Sequence, residues 1–176
     1  MPELPEVETL RRALIPFVLN KRLVEMVFNR PDLRFPIPRE LLIWKVQGQT
    51  INEIKRRGKY LLFCVPSGAM LWHLGMSGRV IQLPAHEPIQ LHTHAVVRFE
   101  PDTYLHFIDP RRFGCILWVP QGGGQPLLDR LGPEPFSKDA NPQAMKASAQ
   151  RCNGPIKNFL MNARRLAGVG NIYACL

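Results

Sequence analysis

The chain opens Met1-Pro2-Glu3, and these residues set a reactive amine beside a carboxyl group. Pro2 is small enough for Met1 to be removed, which leaves a free prolyl secondary amine. A terminal amine has a pKa of about 8, against about 10.4 for a lysine, so roughly a tenth of it is unprotonated at neutral pH. Such an amine is a nucleophile without burial to activate it, and amines that attack carbonyl-like carbons form Schiff bases. Glu3 is a candidate general acid beside it, with Glu6 one turn on. Read alone, Pro2-Glu3-Leu4-Pro5-Glu6 also serves as the lead-in to a helix. The other chemistry-bearing residues lie far off in sequence. Lys59 sits at a turn tip after Lys55-Arg56-Arg57-Gly58, and His92 and His94 lie two apart.

These residues need a frame. Val7, Leu10, Leu14 and Val18 fall at helical spacing, and Pro5, Glu6 and Glu8 suit a helix start, so a first helix is predicted. From Lys21 to Val119 the pattern is mostly β. Ile51–Lys55, Tyr60–Val65, Ala69–Leu74, Arg79–Leu83, Ala95–Glu100, Thr103–Asp109 and Gly114–Pro120 read as short strands broken by Gly, Pro and Asp, with Glu40–Val46 as a helical insert. That spacing predicts an antiparallel sandwich or barrel. Gln121-Gly122-Gly123-Gly124-Gln125 reads as a linker. Beyond it, Pro126–Leu131, Ala140–Arg151 and Ile156–Asn162 look helical, and Gly168-Val169-Gly170 is a turn opening a last helix. The fold class is therefore α+β: a leading helix and β-sandwich over residues 1–120, a linker at 121–125, and a helical module over 126–176.

Composition narrows the partners. The 176 residues carry 23 Lys and Arg against 14 Asp and Glu, a formal charge of +9, which favours a polyanion such as nucleic acid. No apolar run approaches the roughly 18 residues of a membrane-spanning helix, and the acidic N-terminus does not read as a signal peptide. Cys64, Cys115, Cys152 and Cys175 form no CxxC pair and read as thiols in a reducing cytoplasm. His92 and His94 would share a face in a strand, but a metal site needs a third ligand. No metal is expected.

Six separated segments, read together, carry a resemblance. They are Met1-Pro2-Glu3-Leu4-Pro5-Glu6-Val7-Glu8-Thr9, Arg56-Arg57-Gly58-Lys59-Tyr60-Leu61-Leu62, His73-Leu74-Gly75-Met76-Ser77-Gly78-Arg79, Asp109-Pro110-Arg111-Arg112-Phe113-Gly114, Leu131-Gly132-Pro133-Glu134-Pro135 and Gly168-Val169-Gly170-Asn171-Ile172-Tyr173-Ala174. In this order, from residue 1 to 174, the chain resembles the bacterial formamidopyrimidine-DNA glycosylases, the 8-oxoguanine DNA glycosylases of the Fpg/Nei family. Glu3-Leu4-Pro5-Glu6 is more similar to that branch than to the endonuclease VIII branch.

The resemblance implies a base-excision-repair enzyme, a glycosylase and abasic-site lyase that removes oxidised purines from double-stranded DNA. Pro2 would be the nucleophile, Glu3 the proton donor to the sugar ring oxygen, Glu6 a supporting acid, and Lys59 a phosphate contact that assists β-elimination. Met76, Arg111 and Phe113 would fill the void left by an extruded nucleotide, and His73, His92 and Asn171 would contact phosphates. Lys55, Arg56 and Arg57 fit the same phosphate track, and Arg112 is expected to pair with a carboxylate. The helical module would be an incomplete helix-two-turn-helix, in a cytoplasmic, nucleoid-associated monomer. The chain reads as C-terminally truncated: the family's lesion-capping loop and C-terminal zinc finger are absent, so no cofactor is expected. Two other readings stand beside this one, a catalytically impaired remnant with weak DNA binding and an endonuclease VIII-like enzyme for oxidised pyrimidines.

Overall fold

The computed structural model describes residues 2–85 and 87–176. Helix α1 (Leu4–Val18) starts from Glu3, with Pro5 in its first turn where a missing N–H costs little. It buries Val7, Leu14 and Val18 and lies against the strands of one sheet. Strand β1 (Leu23–Phe28) and helix α2 (Arg39–Val46) follow, then β2 (Glu53–Arg57), β3 (Tyr60–Val65), β4 (Gly68–His73), β5 (Arg79–Leu83), β6 (Thr93–Phe99), β7 (Thr103–Ile108) and β8 (Cys115–Pro120). Two four-stranded antiparallel sheets result, ordered β1-β6-β7-β5 and β2-β3-β4-β8.

The sheets pack face to face because their strands alternate. β3 buries Leu61, Phe63 and Val65 and turns the residues between them outward. Phe63 and Trp72 of one sheet lie 4.9 Å apart between ring centroids, and Trp72 meets Phe107 of the other sheet edge-on at 5.5 Å. All three rings are fully buried, so this aromatic contact fixes the separation of the layers.

After β8 the chain crosses exposed residues 121–124 and enters three short helices, α3 (Pro126–Asp129), α4 (Pro142–Gln150) and α5 (Ile156–Leu160). Asn141 caps α4 by accepting from Gln143 and Ala144 N–H. The architecture is α+β. It differs from the sequence reading at the C-terminal side: α3 is one turn, and residues 171–175 form turns rather than a helix. Gly168, at φ +88°, sets that course, and the N–H groups of the following turn are drawn to a side chain instead of to a continuing ladder.

Candidate active site and nucleic-acid interface

Pro2 is half-buried and leads directly into Glu3. The Glu3 N–H donates to Glu6 Oε2 at 3.0 Å as part of a capping box at the start of α1. The Glu3 carboxylate accepts from Gly170 N–H at 2.8 Å, Ile172 N–H at 2.7 Å and Tyr173 N–H at 3.3 Å. Leu4 N–H donates to Gly168 O at 3.1 Å beside it. Glu3 is 1 % exposed, and three backbone donors of one turn hold its carboxylate. Gly170 has to be glycine here, since a Cβ would lie 2.4 Å from Glu3 Cδ. Asn171 stands exposed at the tip of this turn. Met1 lies outside the described residues.

Lys59 reaches the same place from the β2–β3 hairpin. Arg57 pairs with Tyr60, so Gly58 and Lys59 form a two-residue turn, with Gly58 at φ +55°. Burial pushes the Lys59 ammonium pKa down, and the carboxylates of Glu3 and Glu6 pull it partly back. The Glu3 and Glu6 carboxylates and a partly desolvated lysine therefore share one neighbourhood next to Pro2, although Lys59 and Glu3 come from different elements.

The hairpin is held by a carboxylate that the sequence analysis quoted without a role. Glu134 accepts from Gly58 N–H at 2.6 Å, Arg56 Nη1 at 2.7 Å and Arg57 Nη1 at 3.0 Å. Arg57 also donates to Leu131 O and Gly132 O, and Arg56 to Glu8. Burial raises the Glu134 carboxyl, but the Gly58 N–H and the two guanidinium groups outweigh it and hold it low. Arg56 and Arg57 are consequently committed to the protein. The expectation that they line a phosphate track is corrected, because opposite charge within hydrogen-bond reach uses their donors. Lys55 likewise lies 3.1 Å from Glu53.

An open cleft of about 470 Å³ is lined by Arg34, His73, Gly75, Met76 and Phe113, and the charge of Lys59 is felt at its His73. His73 Nδ1 accepts the Gly75 N–H at 3.1 Å, so its free ring nitrogen is the one that carries hydrogen. Burial pushes the His73 pKa down to about 4, with the Arg34 and Lys59 charges lowering it further and Asp109 opposing. His73 is a neutral donor at physiological pH. Met76 and Phe113 are both 43 % exposed, and the Arg111 guanidinium stacks 4.8 Å from the Phe113 ring centroid. Met76 and Phe113 thus line the cleft, and Arg111 joins them through its stack on Phe113. Pro2 is not among the residues that line it.

Two loops carry Met76, Arg111 and Phe113, and one buried carboxylate joins them. Asp109 is fully buried and accepts from Ser77 Oγ at 2.6 Å and Gly114 N–H at 2.8 Å. Ser77 Oγ in turn accepts the Arg111 N–H at 3.1 Å. Gly75 and Gly114 pack so closely that a Cβ on Gly75 would sit 2.4 Å from Gly114 N. The chain doubles back at Arg112, φ +57°, whose N–H donates to Asp109 O at 3.2 Å. Arg112 has no carboxylate partner among the described residues, which corrects the expected ion pair; its backbone carries the turn instead.

The histidine pair is corrected too. His92 lies exposed just before β6 at φ +65°, and His94 is buried, its Nε2 2.8 Å from Asp109 O. A register shift between Thr93 and Ala95 breaks the alternation that a shared face requires. Among the described residues no three His, Cys, Asp or Glu side chains are grouped to hold a metal ion. No helix is long and apolar enough to cross a membrane.

Comparison with known proteins decides the family. The formamidopyrimidine-DNA glycosylase N-terminal domain matches residues 1–116, and the H2TH domain of the same enzymes matches residues 131–175. The chain belongs to the formamidopyrimidine-DNA glycosylase family. It is 44 % identical over 174 residues to the formamidopyrimidine-DNA glycosylase of Stenotrophomonas maltophilia strain R551-3, covering 99 % of this chain and 64 % of that protein. The chain thus spans just under two thirds of the length of that relative. The Lactococcus lactis member, solved with DNA containing an abasic site, superposes with a TM-score of 0.89 at 31 % identity, over 98 % of this chain and 64 % of its own. A MutM protein in complex with DNA containing carbocyclic 8-oxo-G superposes equally well, TM-score 0.89 at 30 % identity, over 98 % of this chain and 65 % of its own.

Sequence reasoning missed Arg34, Ser77, Asp109 and Glu134 as site-building residues. A lone carboxylate set between Pro133 and Pro135 was the available signal for Glu134. Nothing local marked Arg34, which enters the cleft from the segment ahead of α2.

Proposed function

We propose that this protein is a base-excision-repair DNA glycosylase with an abasic-site lyase step, acting on oxidised purines in duplex DNA through the amine of Pro2. One observation carries the reading. Residues 2–3, 59 and 170–173, distant in sequence, converge on a single buried carboxylate beside the candidate nucleophile. The relatives' names, and neighbours solved with abasic-site and 8-oxo-G DNA, support the substrate class.

The chemistry follows from the chain's own groups. The damaged nucleotide leaves the stack, because C1′ is out of reach inside a duplex. Met76 and Phe113 enter the gap, and Arg111 offers its fork to the orphaned base. His73, His92, Lys59 and Asn171 meet phosphate oxygens. The Pro2 nitrogen attacks C1′ as the bond to the base breaks, and the base departs with the bonding pair and takes a proton from water. The proton displaced from that nitrogen passes to Glu3 and on to the sugar ring oxygen, which opens the ring and leaves an iminium between Pro2 and C1′. Loss of a C2′ proton then expels the 3′ phosphate, with Lys59 beside the departing group and Glu6 supporting the amine. The backbone donors around Glu3 fix its carboxylate where the proton is needed.

Borohydride reduction of the iminium tests this. A covalent protein–DNA adduct is expected on duplexes bearing 8-oxoguanine or an abasic site, and it is lost in Pro2→Gly. Equal trapping by Pro2→Gly sinks the nucleophile assignment. Stronger trapping on an oxidised pyrimidine than on 8-oxoguanine replaces the substrate class with the endonuclease VIII-like one.

A further inference from the structure

The loop that presents Met76 and the loop that presents Arg111 and Phe113 are held in register by one hydroxyl. Ser77 Oγ donates to Asp109 at 2.6 Å and accepts the Arg111 N–H at 3.1 Å. Its hydroxyl therefore touches the second loop twice, once at the buried Asp109 carboxylate and once at the Arg111 backbone. Asp109 ties the far end by accepting the Gly114 N–H, so the segment from Arg111 to Phe113 is anchored on both sides. Gly114 O accepts the Arg34 N–H at 3.1 Å, which brings the third cleft segment into the same frame. The exposed side chains Met76, Arg111 and Phe113 have no comparable hold of their own beyond the stack of Arg111 on Phe113.

We propose that Ser77 is a positioning residue that makes Met76 and the Arg111–Phe113 pair enter the duplex as one wedge. This rests on the glycosylase reading above and adds to it a residue that touches neither the sugar nor the base. A wedge works only if its parts arrive together: an apolar side chain entering one side of the stack gains little unless the opposite base is held at the same moment. The closed hydroxyl bridge supplies that register before DNA arrives, so no ordering cost is added at the extrusion step.

The test is Ser77→Ala beside Ser77→Thr, which keeps the hydroxyl. Two DNA substrates separate positioning from chemistry. An 8-oxoguanine duplex demands full extrusion, whereas a pre-formed abasic site is unpaired already and costs less to turn out. Ser77→Ala is expected to lose about tenfold in excision from 8-oxoguanine, on the order of one hydrogen bond, while trapping at the abasic site changes by about twofold or less. Its preference among the bases opposite the lesion falls, because Arg111 shifts, and Ser77→Thr restores both. Equal losses on both substrates, or an unchanged opposite-base preference, overturn the proposal. Amide hydrogen exchange of the free protein gives a readout independent of catalysis. Ser77→Ala is expected to expose the Arg111 and Gly114 N–H groups, and unchanged protection there sinks the bridge itself. Wild-type protein that fails to trap on either substrate overturns the glycosylase reading, and the exchange result still stands or falls alone.

Discussion

The Glu3 carboxylate and the Gly170 amide stand 167 positions apart in the chain and 2.8 Å apart in space. That bond, with those from Ile172 and Tyr173, makes the start of α1 and the 170–173 turn a single unit. The carboxylate beside Pro2 is therefore placed by the segment that also carries Asn171, so the proposed phosphate contact and the proposed proton donor belong to one mechanical unit.

Gly170→Ala tests this link. The added Cβ would lie 2.4 Å from Glu3 Cδ, and neither partner can give way without breaking the N–H bonds. Such overpacking costs about 1–3 kcal/mol, so abasic-site trapping is expected to fall about tenfold or more. Gly154→Ala, where nothing lies within 4 Å of the new Cβ, is the control and is expected to trap like wild type.

Acid stability should depend on two depressed carboxylates. Arg11 holds Glu8 down to about 2 against the opposing effect of burial, with Arg12 and Arg56 adding to it. Glu134 is held low by Gly58, Arg56 and Arg57. A carboxyl lowered in the folded state contributes stability above its unfolded pKa and loses it as pH falls through the folded value. For Glu8 the loss runs from about pH 5 down to about pH 2. Both side chains are about a quarter exposed, so solvent screening keeps each contribution small at neutral pH. Urea titrations at pH 7 and pH 3 should show Glu134→Gln less stable than wild type at pH 7 and nearly equal to it at the lower pH. An equal deficit at both pH values would mean that the charge of Glu134 plays no part.

Much of this frame was readable from the residues. Tyr60–Val65 and Arg79–Leu83 coincide with β3 and β5, because alternating burial in a short strand leaves a period-two pattern. Leu23–Phe28 is an edge strand whose pattern is irregular, and the sequence gives it no boundaries. Arg56 and Arg57 were misassigned for a different reason. Their partner Glu134 is 77 or more positions away, and a basic pair looks alike whether it faces phosphate or a carboxylate. His92 and His94 show a third limit, since a one-residue register shift cancels a face argument.

Burying the Lys59 ammonium carries a stability cost. Its pKa is lowered chiefly by burial, so the folded state resists the proton that the unfolded chain keeps. Lys59→Met is expected to raise Tm at pH 7, an advantage that fades as pH rises past the folded lysine pKa. The same variant is expected to lose about 100-fold in strand cleavage at an abasic site, as removal of a positioned acid–base group does. A variant both less stable and fully active would show that Lys59 is only a turn residue.

His73 gives the most direct reading of the cleft's electrostatics. Its pKa lies at about 4, and the Gly75 N–H occupies Nδ1, so the ring is a neutral donor from its other nitrogen across the working pH range. Any phosphate contact it makes is then a neutral hydrogen bond. It releases no counterion of its own, so His73→Gln should leave the salt slope of DNA binding unchanged while weakening binding about three- to tenfold. The sign of its effect on stability also follows. A histidine lowered in the folded state binds fewer protons than in the unfolded chain, so stability rises with pH between about 4 and about 6.5 and is lost below. Nitrogen NMR of the imidazole across pH 5 to 8 should show a single neutral tautomer with hydrogen on Nε2. A titration centred near 6.5, or a salt slope that drops by one contact in His73→Gln, would show the ring to be charged and the cleft to be far wetter than its packing implies.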